Sequence, residues 1–222
     1  MRSIGLVCLL ALTCAVSLLF QLDAAHAQCA AKDVAKNRRL LDDPALFQTP
    51  EIIQSAAGIP VWKTIKVGTV QNKWDLYRAL DAAHCALGDA AEDMFAQPGF
   101  AVSPGKIDAD LVSVSLAHLG LAHASLQDVY ARAQKLGFAL ASAEIGPQLR
   151  LQYFEQPLGE FLNVAMPPLE TPDGKPKIFV VGNGGSGLLL TGSDVSATEF
   201  HAAARFIFVR QRNIASSQMK AD

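Results

Sequence analysis

The sequence predicts an α+β fold, in which helices of the front half pack on a largely antiparallel sheet from the back half. Two observations favour this class in the 222-residue chain. Up to about residue 141, apolar residues at helical spacing alternate with short strand patterns, whereas afterwards a period of two dominates. Such a segregated pattern is typical of α+β proteins and not of doubly wound parallel sheets.

The front half begins with a strand over Lys63–Thr69, where polar and apolar residues alternate. Asn72 is a helix-capping residue, and the apolar spacing behind it predicts a helix that ends at Gly88. A second short helix is expected from Asp89, and Ser125 caps a third that Gly137 ends.

The back half contains several strand patterns, with a turn signal at Thr171–Gly174. A strand is also predicted over Leu149–Tyr153, because Leu149, Leu151 and Tyr153 alternate with Arg150 and Gln152. The other expected strands of this half are Phe161–Met166, Lys177–Val181, Leu188–Thr191 and Phe206–Arg210.

A glycine-rich segment, Gly182–Gly187, formally matches the G-x-G-x-x-G pattern of dinucleotide sites. Such a site needs a helix next, but Leu188–Thr191 is short and strand-like. We therefore expect a hairpin turn here, and no cofactor.

The N-terminus is typical of a cleavable signal peptide, with Arg2, an apolar run and an A-x-A pattern ending at Ala27. Cleavage there predicts a periplasmic or secreted protein; an uncleaved anchor is the less favoured alternative. We expect residues 28–60 to form an N-terminal extension, 61–210 a single domain and 211–222 a flexible tail.

A formal net charge of −2 offers no electrostatic attraction for nucleic acid. After signal cleavage no stable membrane insertion is expected, and the partner would be a small molecule, a glycan or a protein. Cys29 and Cys85 remain for a possible disulfide, the alternative being a buried free thiol at Cys85. No metal site is expected, because His118 and His123 have no evident third ligand.

One polar stretch is a candidate ligand site. Its candidate residues, which a strand and hairpin would bring together, are Glu144, Gln148, Arg150, Gln152, Tyr153 and Glu160. Three readings stay open: a binding or interaction module with a polar groove, a cell-envelope hydrolase using Glu144 and Glu160 as acid and base, and a polar face that only stabilises the hairpin.

The same stretch carries a resemblance to an uncharacterised bacterial domain family, which extends from about Lys63 to Arg210. The matching motifs are Thr64–Gly68, Phe100–Pro104, Val129–Ala133, Ala143–Tyr153, Gln156–Glu160 and Arg205–Arg210. The resemblance implies a self-contained domain and no known activity.

Overall fold

The computed structural model describes residues 51–185 and 187–210, and within them the α+β prediction is confirmed. These residues form a short 3₁₀ helix, Ala56–Gly58, and four α-helices. The α-helices are α1 (Lys73–Ala82), α2 (Asp89–Ala96), α3 (Leu126–Lys135) and α4 (Ile145–Gln152).

Ten strands accompany these helices in the described residues. They are β1 (Lys63–Val67), β2 (Ala86–Leu87), β3 (Ile107–Ser115), β4 (His123–Ser125), β5 (Phe161–Val164), β6 (Leu169–Glu170), β7 (Pro176–Gly184), β8 (Gly187–Asp194), β9 (Glu199–His201) and β10 (Arg205–Val209). The large sheet has the order β1-β3-β10-β5-β7-β8-β2, with β6 beside β7, while β4 and β9 form a separate pair. Among the described strands only β10–β5 and β2–β8 pair in parallel, so the sheet is mostly antiparallel and also draws strands from the front half.

Local capping signals locate two helices correctly. The side chain of Asn72 accepts hydrogen bonds from the amides of Trp74 and Asp75, and that of Ser125 accepts from the amide of Asp128. The first helix is shorter than predicted, because residues 86–87 leave it to pair as β2 with β8. The second helix starts at Asp89 itself, with Gly88 as its N-cap.

The predicted strand over Leu149–Tyr153 is wrong, since these residues belong to α4 and its C-cap. The alternation misled because the helix is enclosed: Leu149 and Arg150 are both fully buried. Adjacent residues of an enclosed helix need not differ in polarity, so its helical period is not visible in the sequence.

The large sheet curls around α4. This helix contacts β1 at one end of the strand order and β7 and β8 near the other, although three strands lie between β1 and β7. A flat sheet would separate β1 from β7 by about 19 Å, longer than an eight-residue helix of about 12 Å. Gly146 allows the close packing, because a Cβ there would lie 2.8 Å from the Cβ of Phe179.

The glycine-rich segment forms the expected hairpin between β7 and β8, which pair from Lys177–Asp194 to Gly184–Gly187. Ahead of β1, the described end of the predicted extension packs on the domain. Ile53 is buried and donates its amide to the carbonyl of His118, and the amide of Ala56 donates to Leu136.

The predicted signal peptide (1–27), residues 28–50 and the predicted tail (211–222) lie outside the described residues. In the part of the chain that is described, no helix combines the length and hydrophobicity needed to cross a membrane.

Candidate functional site

The polar residues expected to form a groove lie on α4 and just after it, and they separate into three groups. Glu144, Gln148 and Gln152 are spaced by four residues, so they share one face of the helix. We call this set the α4 stripe. Arg150 points elsewhere into the interior, and Tyr153 and Glu160 form a third group beyond the helix.

Glu144 joins two loops to the start of α4. Its side chain is buried, and its two oxygens accept backbone amides from Gly68 and Ser103, each at 2.7 Å. Gln148 donates to Oε1 of the same carboxylate at 3.1 Å. A buried carboxylate is stable where such donors replace water, so the contacts explain how Glu144 is accommodated inside the fold.

Gln148 and Gln152 continue the stripe toward the edge strand β1. Gln148 donates to the hydroxyl of Thr69 at 2.7 Å. Gln152 accepts the amide of Lys66 at 2.9 Å and donates to the carbonyl of the same residue at 2.9 Å. This carboxamide therefore occupies backbone groups of an edge strand that would otherwise be open for pairing with another chain.

Arg150 is fully buried and bonded to oxygens of the chain itself. Its Nη1 donates to Oε1 of Gln156 at 2.5 Å and to the carbonyl of Gly182 at 3.0 Å, and its Nη2 donates to the carbonyl of Tyr153. Burial lowers the pKa of the Arg150 guanidinium to about 10, a value that still leaves the group protonated at neutral pH. Its acceptors are neutral, and the guanidinium ties α4 to the β7–β8 hairpin.

Gln156 and Asn183 complete this interior cluster, although the sequence did not nominate them as site residues. Gln156 is buried and donates to the carbonyls of Glu160 and Val181. Asn183 donates to the carbonyl of Gln156 at 2.7 Å. Gln156 lies in the polar stretch and Asn183 in the glycine-rich segment, and these positions are their only sequence signal. Local sequence does not reveal that both are buried.

The third group is a chain of hydrogen bonds at the sheet. The hydroxyl of Tyr153 donates to Oε2 of Glu160 at 2.9 Å, and Arg205 bonds Oε1 at 2.6 Å. Arg205 also donates to Ser113 on β3 at 2.9 Å. Burial, reinforced by the negative charge of Glu160, raises the pKa of the Tyr153 hydroxyl above its ordinary value. Glu160 is thus held as one partner of an ion pair.

Together these contacts account for the predicted site residues as parts of the framework. Glu144 and Glu160 have different partners, in the loops near β1 and at the sheet respectively. Glu144, Gln148 and Arg150 are each no more than 1 % exposed, so substrate would have to displace internal contacts to reach them. The arrangement suits a scaffold better than acid–base chemistry.

A different concave surface lies beside α3. A cavity of about 640 Å³ is lined on one side by Gln127, Tyr130, Ala131 and Gln134. Their spacing of three, four and seven residues places them on one helix face. Pro168, Pro176 and Val195 line the other side. We call this cavity the α3 groove, and none of its lining residues carries a charged side chain.

Three histidines of the described residues form two arrangements, one within a turn after β3 and one on the surface. Nδ1 of His118 lies 2.8 Å from the hydroxyl of Ser115. His123 instead meets His201 across the β4–β9 pair, with 3.0 Å between their Nδ1 atoms. The sequence does not reveal this pair, because the two residues are far apart in the chain. The described residues contain no group of three or more His, Cys, Asp or Glu side chains suited to hold a metal.

Cys85 is buried and disulfide-bonded. Cys29, the partner expected from the sequence, lies outside the described residues, so the Cys29–Cys85 pairing stays a prediction.

No family model, curated protein or solved structure matches this chain. The resemblance stated above therefore also stays a prediction, and functional reasoning depends on the geometry.

Proposed function

We propose that the protein is an exported binding module whose α3 groove takes an uncharged, hydrogen-bonding ligand, namely a segment of a glycan. The observation that carries the proposal is the lining of the groove: two amides and an aromatic ring on one helix face, without a charged side chain. Export rests on the signal-peptide pattern that ends at Ala27.

The amides supply the recognition groups. Gln127 and Gln134 are exposed, and neither side chain makes a hydrogen bond to the described part of the chain. Each carboxamide presents donors and an acceptor, which match the hydroxyls of a sugar. They lie seven residues apart, about 10 Å along the helix, a span that suits more than one sugar ring.

Tyr130 supplies an apolar wall between them. Its hydroxyl donates to the carbonyl of Met166 at 2.7 Å, which fixes the ring in place. Burial raises the pKa of this hydroxyl well above its ordinary value, so Tyr130 brings no negative charge to the groove. A fixed aromatic ring beside free amides is the mixture of apolar and directional contacts that small-ligand sites use.

The α4 stripe and Arg150 take another role in this proposal. Their hydrogen-bond partners belong to the chain itself. We therefore assign ligand binding to the α3 groove and not to the groove predicted between Glu144 and Glu160. The hydrolase alternative gains no support from a Glu144 whose two oxygens both accept backbone amides.

The test is ligand titration with soluble, uncharged cell-wall glycan fragments, followed by the NMR amide shifts of α3 residues. Ala131→Arg places a long side chain across the groove from an exposed position, and we expect it to weaken binding by about tenfold or more. Ala82→Arg is the matched control, since Ala82 is an exposed helical alanine outside the groove.

Loss of the shifts in Ala131→Arg, with binding retained in Ala82→Arg, would support the proposal. Glycan binding that survives Ala131→Arg would contradict the location of the site. Binding of charged peptides but of no glycan would contradict the ligand class.

A further inference from the structure

The β4–β9 pair carries two histidines directly opposite each other. His123 pairs with His201, and Ser125 pairs with Glu199 in the next row. Since side chains of alternate strand residues share a face, all four lie on the same side of this two-stranded sheet. The imidazole rings are perpendicular, with centroids 4.9 Å apart.

The separation of the two Nδ1 atoms, 3.0 Å, requires at least one unprotonated nitrogen. In the neutral pair, one Nδ1–H donates to the lone pair of the other ring. When the donor ring shifts its proton through water to Nε2, both Nδ1 atoms present lone pairs, and a metal ion beside the line between them binds both. With metal–nitrogen bonds of about 2.0–2.1 Å, nitrogens at this separation subtend an angle of about 90° at the metal. That is the angle between neighbouring ligands in square-planar or octahedral coordination.

The backbone holds the two imidazoles in register. Ala124 and Phe200, between the paired positions, point to the other face and are buried. Phe200 also contacts Phe206 of β10, with ring centroids 4.9 Å apart. The strands are therefore anchored to the core, while both histidine side chains are exposed and free to adjust.

The local charge favours a cation. His123, Asp128 and Glu199 line one cavity of about 380 Å³. The two carboxylates on the cavity of His123 attract a divalent ion, although they do not complete a set of three protein ligands. The remaining coordination positions are thus left to water.

We propose that His123 and His201 form a surface bis-imidazole site for a divalent first-row transition metal, with Cu²⁺ preferred. Imidazole nitrogens suit these ions, and Cu²⁺ has both the highest affinity in the divalent series and a preference for ligands at right angles. The metal site adjoins the α3 groove, since Ser125, Val195 and Ser196 line both cavities, but neither His123 nor His201 lines the groove.

The experiment is titration of the untagged protein with Cu²⁺, monitored by calorimetry and by electron paramagnetic resonance. We expect one equivalent to bind with a spectrum showing two coordinated imidazole nitrogens. His123→Ala and His201→Ala should each weaken binding by roughly tenfold or more, since even outer partners of metal ligands contribute 10–100-fold. Cu²⁺ should raise the Tm of the wild type and not of the double variant.

His84→Asn is the matched control, because His84 is exposed and has φ = 53°, a conformation that asparagine tolerates. It should bind Cu²⁺ like the wild type. Unchanged affinity in either alanine variant, equal weakening in His84→Asn, or a spectrum with a single imidazole would overturn the proposal. All of these variants substitute exposed side chains, and a metal-free Tm equal to that of the wild type verifies that each variant folds.

Discussion

Helices α3 and α4 both carry glutamines, but they use them in opposite ways. On α4, Gln148 and Gln152 are bonded to neighbouring loops and to the edge strand β1. On α3, Gln127 and Gln134 face solvent in the α3 groove without such partners. The comparison shows that polar residues concentrated in one stretch can all be hydrogen-bonded within the protein, whereas isolated exposed ones remain available to a ligand.

The largest effect on stability is expected from the removal of the Arg150 guanidinium. Arg150→Met keeps most of the volume but removes the donors that the guanidinium supplies to the side chain of Gln156 and to the carbonyls of Tyr153 and Gly182. Each buried acceptor without a partner costs about 1–3 kcal/mol, so we expect the free energy of unfolding to fall by about 3 kcal/mol or more. Urea unfolding monitored by circular dichroism measures the change.

Arg78→Met is the matched control. Arg78 is largely exposed and pairs with Asp75 on the surface of α1, so its removal should cost less than about 1 kcal/mol. If Arg150→Met were no more harmful than this control, the interior cluster would not be part of the framework.

The next largest effect is expected at the start of the α4 stripe. Glu144→Gln keeps the shape but replaces one accepting oxygen with an NH₂ group that faces a backbone N–H of Gly68 or Ser103. We expect a loss of about 2 kcal/mol in urea unfolding and faster hydrogen exchange of those two amides. Glu170→Gln, at an exposed position, should change neither quantity. Unchanged exchange at Gly68 and Ser103 would refute the clamping role of Glu144.

The contrast also explains how far the sequence could predict the fold. Signals that act within a few residues were sufficient for the caps at Asn72 and Ser125 and for the β7–β8 hairpin. The caps depend on side chains that bond their own neighbouring backbone, and the hairpin depends on glycines in a tight turn, so local sequence contains the whole interaction in each case.

Features that depend on distant partners could not be predicted in this way. The strand order brings β10 between β3 and β5, and α4 is enclosed by strands from both halves of the chain. Because α4 is enclosed, it has no polar side from which a helical period could be recognised. The sequence pattern therefore places Arg150 on a strand face. The candidate residues are neighbours in the sequence but separate into three groups in the fold, and the burial of Glu144 depends on loops near Gly68 and Ser103.

The smallest expected effect gives the closest comparison, because it substitutes the same residue type in both helices. Gln148→Ala removes donors from Thr69 and from the buried carboxylate of Glu144, and we expect it to lower the free energy of unfolding by about 1–2 kcal/mol. Gln134→Ala should change it by no more than about 0.5 kcal/mol, since an exposed side chain without partners is lost and alanine favours helix. In glycan titrations the order should reverse, with Gln134→Ala weakening binding and Gln148→Ala leaving it unchanged at temperatures where both are folded. Equal stability losses would mean that the two helices do not differ as their contacts indicate. A binding loss confined to Gln148→Ala would return the ligand site to α4.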